Sequence, residues 1–386
     1  MMELVLFYLG EIFYMVKRNI SLFTGLICLV ILSSCNITKN ISKGINKIEQ
    51  QKIGIFTKFS LDYNRFYLPS SSNEVMYMTV DDNSKSGMPN KLIAYDYVNK
   101  ETKEVFQSKL KNPNMQGQQA NKEWVLWTDT DDFGTQSVLY VKNIHNGKQK
   151  KLYETEGPID ANLYQHFVTW TEIDPIKKLA YIKVYDLKND TVKTVATTHS
   201  YDTGYSVSHM NQGKLVYSDG NSIETNLYLY DLKSGETIVY PTPHKFINNI
   251  RIVGNKIFYA TFPSPDQWYP ESYFIVNMET KNVEPFQLDE VHGDSNNNIG
   301  LVSAFQDYMV FQTSTQQVWI YKLQDEGYKK QKLNVSQPFQ TVMSEGLDIN
   351  IICEEKEGGS RYIMLLASKD LTNMFQDTTT SPYNKN

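Results

Sequence analysis

The sequence predicts an all-β chain, a seven-bladed β-propeller of four-stranded antiparallel blades. Three observations predict it. A strand–turn–strand string recurs at a nearly constant interval. A second apolar strand ending near an aromatic residue precedes each copy. Aromatic residues make up 13% of the 386 residues, a composition that favours pleated sheet.

The recurring strings begin at residues 91, 138, 180, 226, 273 and 318. Each alternates apolar and polar residues, as a half-buried strand does, and then breaks at Asn, Gly, Asp, Ser or Lys residues suited to a tight turn. Aligned on Asp96, Asn143, Asp186, Asp231, Asn277 and Lys322, the copies are 47, 43, 45, 46 and 45 residues apart. One further step of 45 from Lys322 reaches Ala367, again in an apolar strand. The preceding strands carry Tyr77, Trp127, Trp170, Tyr217, Tyr259 and Phe311, with Cys353 in the seventh copy. Periods of about 40–50 residues built from four short strands mark propeller blades. A lone blade cannot bury both faces, so blades stack and the array closes, which also removes the exposed sheet edge.

The seventh copy has no outer strand of its own. The alternating segment 52–59 is expected to supply that strand and close the ring. Six blades remain the alternative if the last copy packs irregularly. The propeller is assigned to residues 52–370, and the polar tail 371–386 is expected to be disordered. The repeated aromatics are expected to pack between blades. Cys353 occupies an aromatic slot and is expected to be a buried, inert thiol.

This repeat resembles the TolB-like and WD-repeat propellers, with residues 230–236 as the closest match. The resemblance implies a fold and no particular activity.

Ahead of the repeats, Lys17 and Arg18 precede an apolar run from Leu22 to Leu32, followed by Leu32, Ser33, Ser34 and Cys35. A charged region, a short apolar core and small residues form a secretory signal peptide. The run is shorter than the roughly 20 residues that a membrane span needs. Leu32 to Cys35 resembles the lipobox of bacterial lipoproteins. By that resemblance the leader 1–34 is cut before Cys35, whose thiol is acylated with a palmitate-class chain. The mature chain of 352 residues would then be a membrane-anchored lipoprotein on the extracytoplasmic face of the cell membrane. Residues 1–14 place a second apolar stretch before the charged region, and Met15 is the expected start. Residues 35–51 read as a lipidated cysteine and a tether. They alternatively form a basic amphipathic helix, with Ile37, Ile41, Ile45 and Ile48 opposite Lys39, Lys43 and Lys47.

Charge and cysteine usage exclude other classes. The 38 Lys and Arg residues against 43 Asp and Glu give a net charge of −5, so no field draws the chain to nucleic acid. Three Cys make no disulfide scaffold.

In a propeller, the interblade loops share one face with the loops between second and third strands, and that face is the expected binding surface. His199, His244 and His292 occupy equivalent places on three successive interblade loops, followed by Asp202 and Asp294. Three converging imidazoles could hold Zn²⁺, with an analogy in the oligogalacturonate lyases. The alternative is solvated loop histidines. Asp129, Asp131 and Asp132, near Gly134, have the alternation of a Ca²⁺ loop, but Phe133 stands at its fifth position. The alternative is a mildly acidic rim shared with Asp81, Glu172 and Asp219. Trp268 and Tyr269, between prolines in residues 261–272, form the preferred contact patch, unless Trp268 folds back onto its own blade. No GxSxG, GxxxxGK[ST], HExxH or CxxC string occurs. The leading expectation is a monomeric, non-catalytic binding or scaffold propeller without cofactor, whose partner is a protein, peptide or cell-wall polymer. The alternative is a polysaccharide-acting lyase or glycosidase with a His/carboxylate site at the channel mouth.

Overall fold

The computed structural model describes residues 48–63, 65–199, 208–220, 224–264, 270–286, 299–356 and 359–376. Two N-terminal strands, β1 (Ile48–Ile53) and β2 (Phe56–Leu61), precede seven antiparallel sheets. Blade 1 comprises Phe66–Ser72, Val75–Val80, Lys91–Asp96 and Glu101–Gln107. Blade 2 comprises Gln116–Ala120, Trp124–Thr130, Ser137–Asn143 and Gln149–Thr155. Blade 3 comprises Ala161–Tyr164, Phe167–Asp174, Leu179–Asp186 and Thr191–Thr198. Blade 4 comprises His209–Asn211, Lys214–Gly220, Thr225–Asp231 and Thr237–Pro241. Blade 5 comprises Ile247–Val253, Lys256–Thr261, Ser272–Asn277 and Val283–Pro285. Blade 6 comprises Ile299–Phe305, Tyr308–Thr313, Val318–Gln324 and Gly327–Leu333. Blade 7 takes Pro338–Met343, Ile349–Glu354 and Arg361–Leu366 from the end of the chain and β2 from its start, with β1 as a fifth, outer strand.

The first strand of every blade touches the first strand of the next, and that of blade 7 touches that of blade 1. These strands therefore line a central channel, and the ring is closed. Closure is chemical as well as geometric. Phe56, Thr57, Lys58, Phe59 and Ser60 pair with Leu366, Leu365, Met364, Ile363 and Tyr362. The missing outer strand is thus supplied from the start of the chain, as expected, but by Phe56–Leu61; residues 52–53 end β1 and residues 54–55 form the turn between the two, because Gly54 breaks the alternating segment into a hairpin.

The aromatic column sits at one register position. Tyr77 faces Ala94, Trp127 faces Tyr140, Trp170 faces Lys183 and Tyr217 faces Tyr228 across the second and third strands. Tyr259 faces Phe274, Phe311 faces Trp319 and Cys353 faces Tyr362 in the same way. All seven column residues are buried. Three of the pairs stack, with ring centroids 5.6 Å apart for Trp127–Tyr140, 5.2 Å for Tyr217–Tyr228 and 5.5 Å for Tyr259–Phe274. Seven apolar clusters form, and each joins two neighbouring blades. The core is therefore divided among the interfaces, as stacked blades that bury their faces against one another require.

The turn column has an equally plain cause. Asp96, Asn143, Asp186, Asp231 and Asn277 each accept backbone N–H bonds from the residues two and three positions on. A short side chain with an acceptor oxygen closes such a turn, which is why Asp and Asn recur. Blade 6 departs from this, since its third strand runs past Lys322 to Gln324 before turning.

Two boundaries need correction. Residues 48–51 belong to β1 and not to the tether. The expected disordered tail also starts too early. Helix α1 (Ser368–Met374) buries Leu371, and Phe375 packs edge-on against Tyr308 at 5.7 Å. Lys329 Nζ donates to the Phe375 carbonyl at 3.1 Å. Polar composition hid two apolar anchors four residues apart. Residues 377–386, and the leader with Leu32, Ser33, Ser34 and Cys35, lie outside the described residues.

Candidate functional site at the loop face

Antiparallel order sends the interblade loops and the second-to-third strand loops to one end of the channel, the loop face. The first-to-second strand hairpins go to the other, the turn face. Polar side chains of the inner strands tie the blades together between these ends. Ser344 of blade 7 bonds Ser70 and Ser71 of blade 1, and Ser70 accepts from the Ala120 amide of blade 2. Gln119 bridges to Ala161 and Leu163 of blade 3, and Asn162 donates to Ser208 at blade 4. His209 Nδ1 accepts from the Ile252 amide at 3.1 Å, and its Nε2 donates to the Ala304 carbonyl at 3.1 Å. Burial holds His209 well below the usual imidazole range, so the neutral ring makes both bonds.

Arg251 of blade 5 reaches the Val302 carbonyl of blade 6 at 2.9 Å. Burial lowers its guanidinium to about 10, against the opposing pull of Asp160. At the turn face, Glu345 of blade 7 crosses to blades 2 and 3, accepting from Asn121 Nδ2 at 3.1 Å and the Gln165 amide at 3.0 Å. Desolvation raises its carboxyl. These bonds tie the inner strands of the blades to one another, with Glu345 linking blade 7 to blades 2 and 3 at the turn face.

Five inner strands carry a bulge, between Tyr67 and Ser70, Gln116 and Gln119, Asn248 and Arg251, Ile299 and Val302, and Pro338 and Gln340. A bulge breaks strict alternation and adds one re-aimed side chain. The inner strands are also rich in Ser, Asn and Gln, so sequence patterning passes over them. Such polar clusters recur ahead of the column residues, but at uneven distances from them.

The predicted site residues separate. His199 is 68% exposed and turned toward Asp219, whose Oδ1 accepts the His199 amide at 2.7 Å. His244 is committed to its own blade. Its Nδ1 bonds Tyr259 Oη at 2.8 Å, its ring lies 4.0 Å from Phe274, and burial lowers its pKa. His292, Asp202, Asp294, Trp268 and Tyr269 lie outside the described residues. A three-imidazole centre is thus unsupported, because one member is spent on packing.

The acidic trio also fails as a cation loop. Asp129 is buried between blades 1 and 2, where burial raises its carboxyl to about 6. Asp131 spends its oxygens on Thr135 and the Gln136 amide. Asp132 stands exposed beside them. Among the described residues no group of three His, Cys, Asp or Glu side chains could hold a metal. Asp81 caps its loop at the Ser84 amide, and Glu172 accepts from Trp170 Nε1 at 3.1 Å and Lys183 at 3.2 Å. The acidic rim is therefore partly internal scaffolding. Cys353 is buried, and desolvation pushes its thiol up to about 12, far from nucleophile range.

The loop face instead presents residues that the sequence did not single out. Phe133, at the tip of the second-to-third strand loop of blade 2, is 73% exposed. Ile176, at the matching tip of blade 3, is 91% exposed, with Ile173 also exposed beside it. On blade 1, the half-buried Arg65 and Tyr67 meet at Met88, and the half-buried Arg361 of blade 7 acts on the Tyr67 hydroxyl through its charge.

No family model matches the sequence, and neither does any curated protein sequence. Solved structures do resemble it. The β-propeller domain of the Trilobed protease from Pyrococcus furiosus, described as having an open velcro topology, superposes with a TM-score of 0.55 at 11% identity. That match covers 84% of this chain and 97% of that one. A prolyl endopeptidase gives a TM-score of 0.52 at 13% identity, covering 75% of this chain and 46% of that chain. Acylaminoacyl peptidase gives 0.51 at 9%, covering 83% and 52%. The chain spans about half the length of these last two. Such identities speak for the fold alone, and with the seven closed sheets they establish a seven-bladed β-propeller of four-stranded antiparallel blades.

Proposed function

We propose that this is a binding propeller that docks a protein or peptide partner on its loop face, held to a membrane through a lipid on Cys35. One observation carries the docking reading. Phe133 and Ile176 project from equivalent loop tips on neighbouring blades, 73% and 91% exposed. Large apolar side chains held into water on two adjacent tips gain free energy only when a partner covers them. The cross-tied ring beneath them is already ordered, so little conformational entropy is lost on docking. Lys177 and Lys178 follow Ile176 and would form a polar rim on that side.

A Phe133→Ser, Ile176→Ser double variant tests the docking. It should lose partner capture by about tenfold or more, while its circular dichroism and thermal midpoint match the parent. Undiminished capture would end this reading. The tether rests on the sequence of residues 32–35. Cys35→Ser should move the protein from the membrane to the soluble fraction, and a variant that stays with the membrane refutes the anchor.

A further inference from the structure

On the loop face between blades 7 and 1, Arg65 enters the inner strand of blade 1 and lies next to Tyr67. Arg65 Nη1 is 3.0 Å from Met88 Sδ, and Tyr67 Oη is 3.8 Å from the same sulfur. A thioether is a weak acceptor, poorly matched to a guanidinium and a phenol together. Among the described residues no carboxylate forms an ion pair with the half-buried Arg65, and Asp132 feels its charge only at longer range. Arg361 of blade 7 is the second cation acting on the Tyr67 hydroxyl, and Asp132 of blade 2 is the acid nearest in effect. Arg361 is fixed in place, with Nε on Glu354 at 2.9 Å and its guanidinium 3.9 Å above the Phe339 ring. Arg65 and Tyr67 thus meet at one place, where sulfur is the acceptor they share, and the charge of Arg361 reaches the same hydroxyl from blade 7. Desolvation raises the phenol, so it keeps its proton and can donate.

We propose that Arg65, Tyr67 and Arg361 form a carboxylate seat on the loop face that takes a carboxylate carried by a peptide partner. This rests on the docking reading and names the chemistry it recognises. The incoming oxygens displace Met88 Sδ, accepting from the Arg65 guanidinium and the Tyr67 hydroxyl. Arg361 adds its field from the adjacent blade. Charge-assisted bonds of this kind are roughly twice as strong as neutral ones, and a planar guanidinium suits a carboxylate. Asp132 opposes the ligand, since its carboxylate already draws on the charge of Arg65.

The test titrates purified protein with the peptide Ac-Gly-Ala-Leu as free acid, with the same peptide as its C-terminal amide, and with inorganic phosphate, read by ligand-observed NMR at low salt. The free acid should bind saturably and the amide should not. Arg65→Gln should weaken binding about tenfold or more. Tyr67→Phe should weaken it less, and Asp132→Asn should strengthen it. A structural role alone would not produce that opposite pair. Equal binding of acid and amide, binding of phosphate in place of the acid, or unchanged affinity in Arg65→Gln overturns the seat. Tyr67→Phe loses only a hydroxyl and decides the matter if Arg65→Gln does not fold. The titration involves neither Phe133 nor Ile176. Failure of their double variant to reduce partner capture would therefore end the docking reading and leave the seat to be judged by the peptide alone.

Discussion

Asp129 and Trp127 lie two residues apart on one face of a strand, so both side chains enter the interface of blades 1 and 2. Trp127 Nε1 and Asp129 Oδ1 are buried without hydrogen-bond partners there. Blade 3 solves the same problem, because Trp170 Nε1 donates to Glu172, one methylene longer than an aspartate. Removing the indole donor should therefore cost more in blade 3. Trp170→Phe should lower stability by about 1 kcal/mol more than Trp127→Phe, as measured by urea denaturation. Asp129 has a folded pKa near 6 against an unfolded value of about 3.9. Its contribution to stability is therefore fully present below about pH 4 and is lost as pH rises through about 6. The loss is on the order of 2–3 kcal/mol. Asp129→Asn should stabilise the protein at pH 8 by up to that amount and flatten the stability curve between pH 4 and 6. His209 runs the other way. Its folded pKa is lowered, so its contribution is present above the unfolded value of about 6.5 and lost as pH falls below it. His209→Gln should show a smaller fall in thermal midpoint between pH 7 and 5 than the parent.

At the scale of the strand and turn, two columns of the sequence turn out to be two physical devices. The aromatic column is a cross-strand pair at the heart of each blade. The Asp/Asn column is a turn closed by a side-chain oxygen. Asp231 shows the second most fully. The Ser234 and Lys233 amides, with Lys214 at 3.1 Å, hold its carboxyl down at about 2. Asp231→Ala should cost about 1 kcal/mol in urea denaturation, whereas Asp231→Asn should retain most of it, because the amide oxygen still accepts both backbone bonds. Both devices were legible because they act within a hairpin, at fixed spacing. Inner strands were not, because their Ser, Asn and Gln side chains serve the neighbouring blade, and their bulges break the alternation that identifies a strand.

For the molecule as a whole, stability depends on the ends of the chain meeting. Phe59 of β2 is fully buried and packs with Tyr95, Ile352 and Ile363, at the interface of blades 7 and 1. Phe59→Ala should cost about 3–5 kcal/mol and lower the urea midpoint, since it opens a cavity where the ring is fastened. The site depends on the same closure. Arg65 and Arg361 are almost 300 residues apart in sequence, and both charges act on the Tyr67 hydroxyl only because blade 7 meets blade 1.

The sequence by itself determined the all-β class, the repeat of about 45 residues, the end of the chain that closes the ring and the burial of Cys353, while the choice of seven blades over six came from the packing of the last copy. What the sequence determined follows from periodicity, and periodicity is local. It also placed three histidines at corresponding points of successive blades and three aspartates together in one loop of blade 2. Only the tertiary structure decided what those points face. Equal position in a repeat fixes the backbone address of a side chain, whereas its partners come from the next blade, from a bulge or from across the channel. His244 therefore packs on Tyr259 and Phe274 and Asp129 is buried, while Phe133, Ile176 and the Arg65–Tyr67–Met88 contact are presented at the loop face.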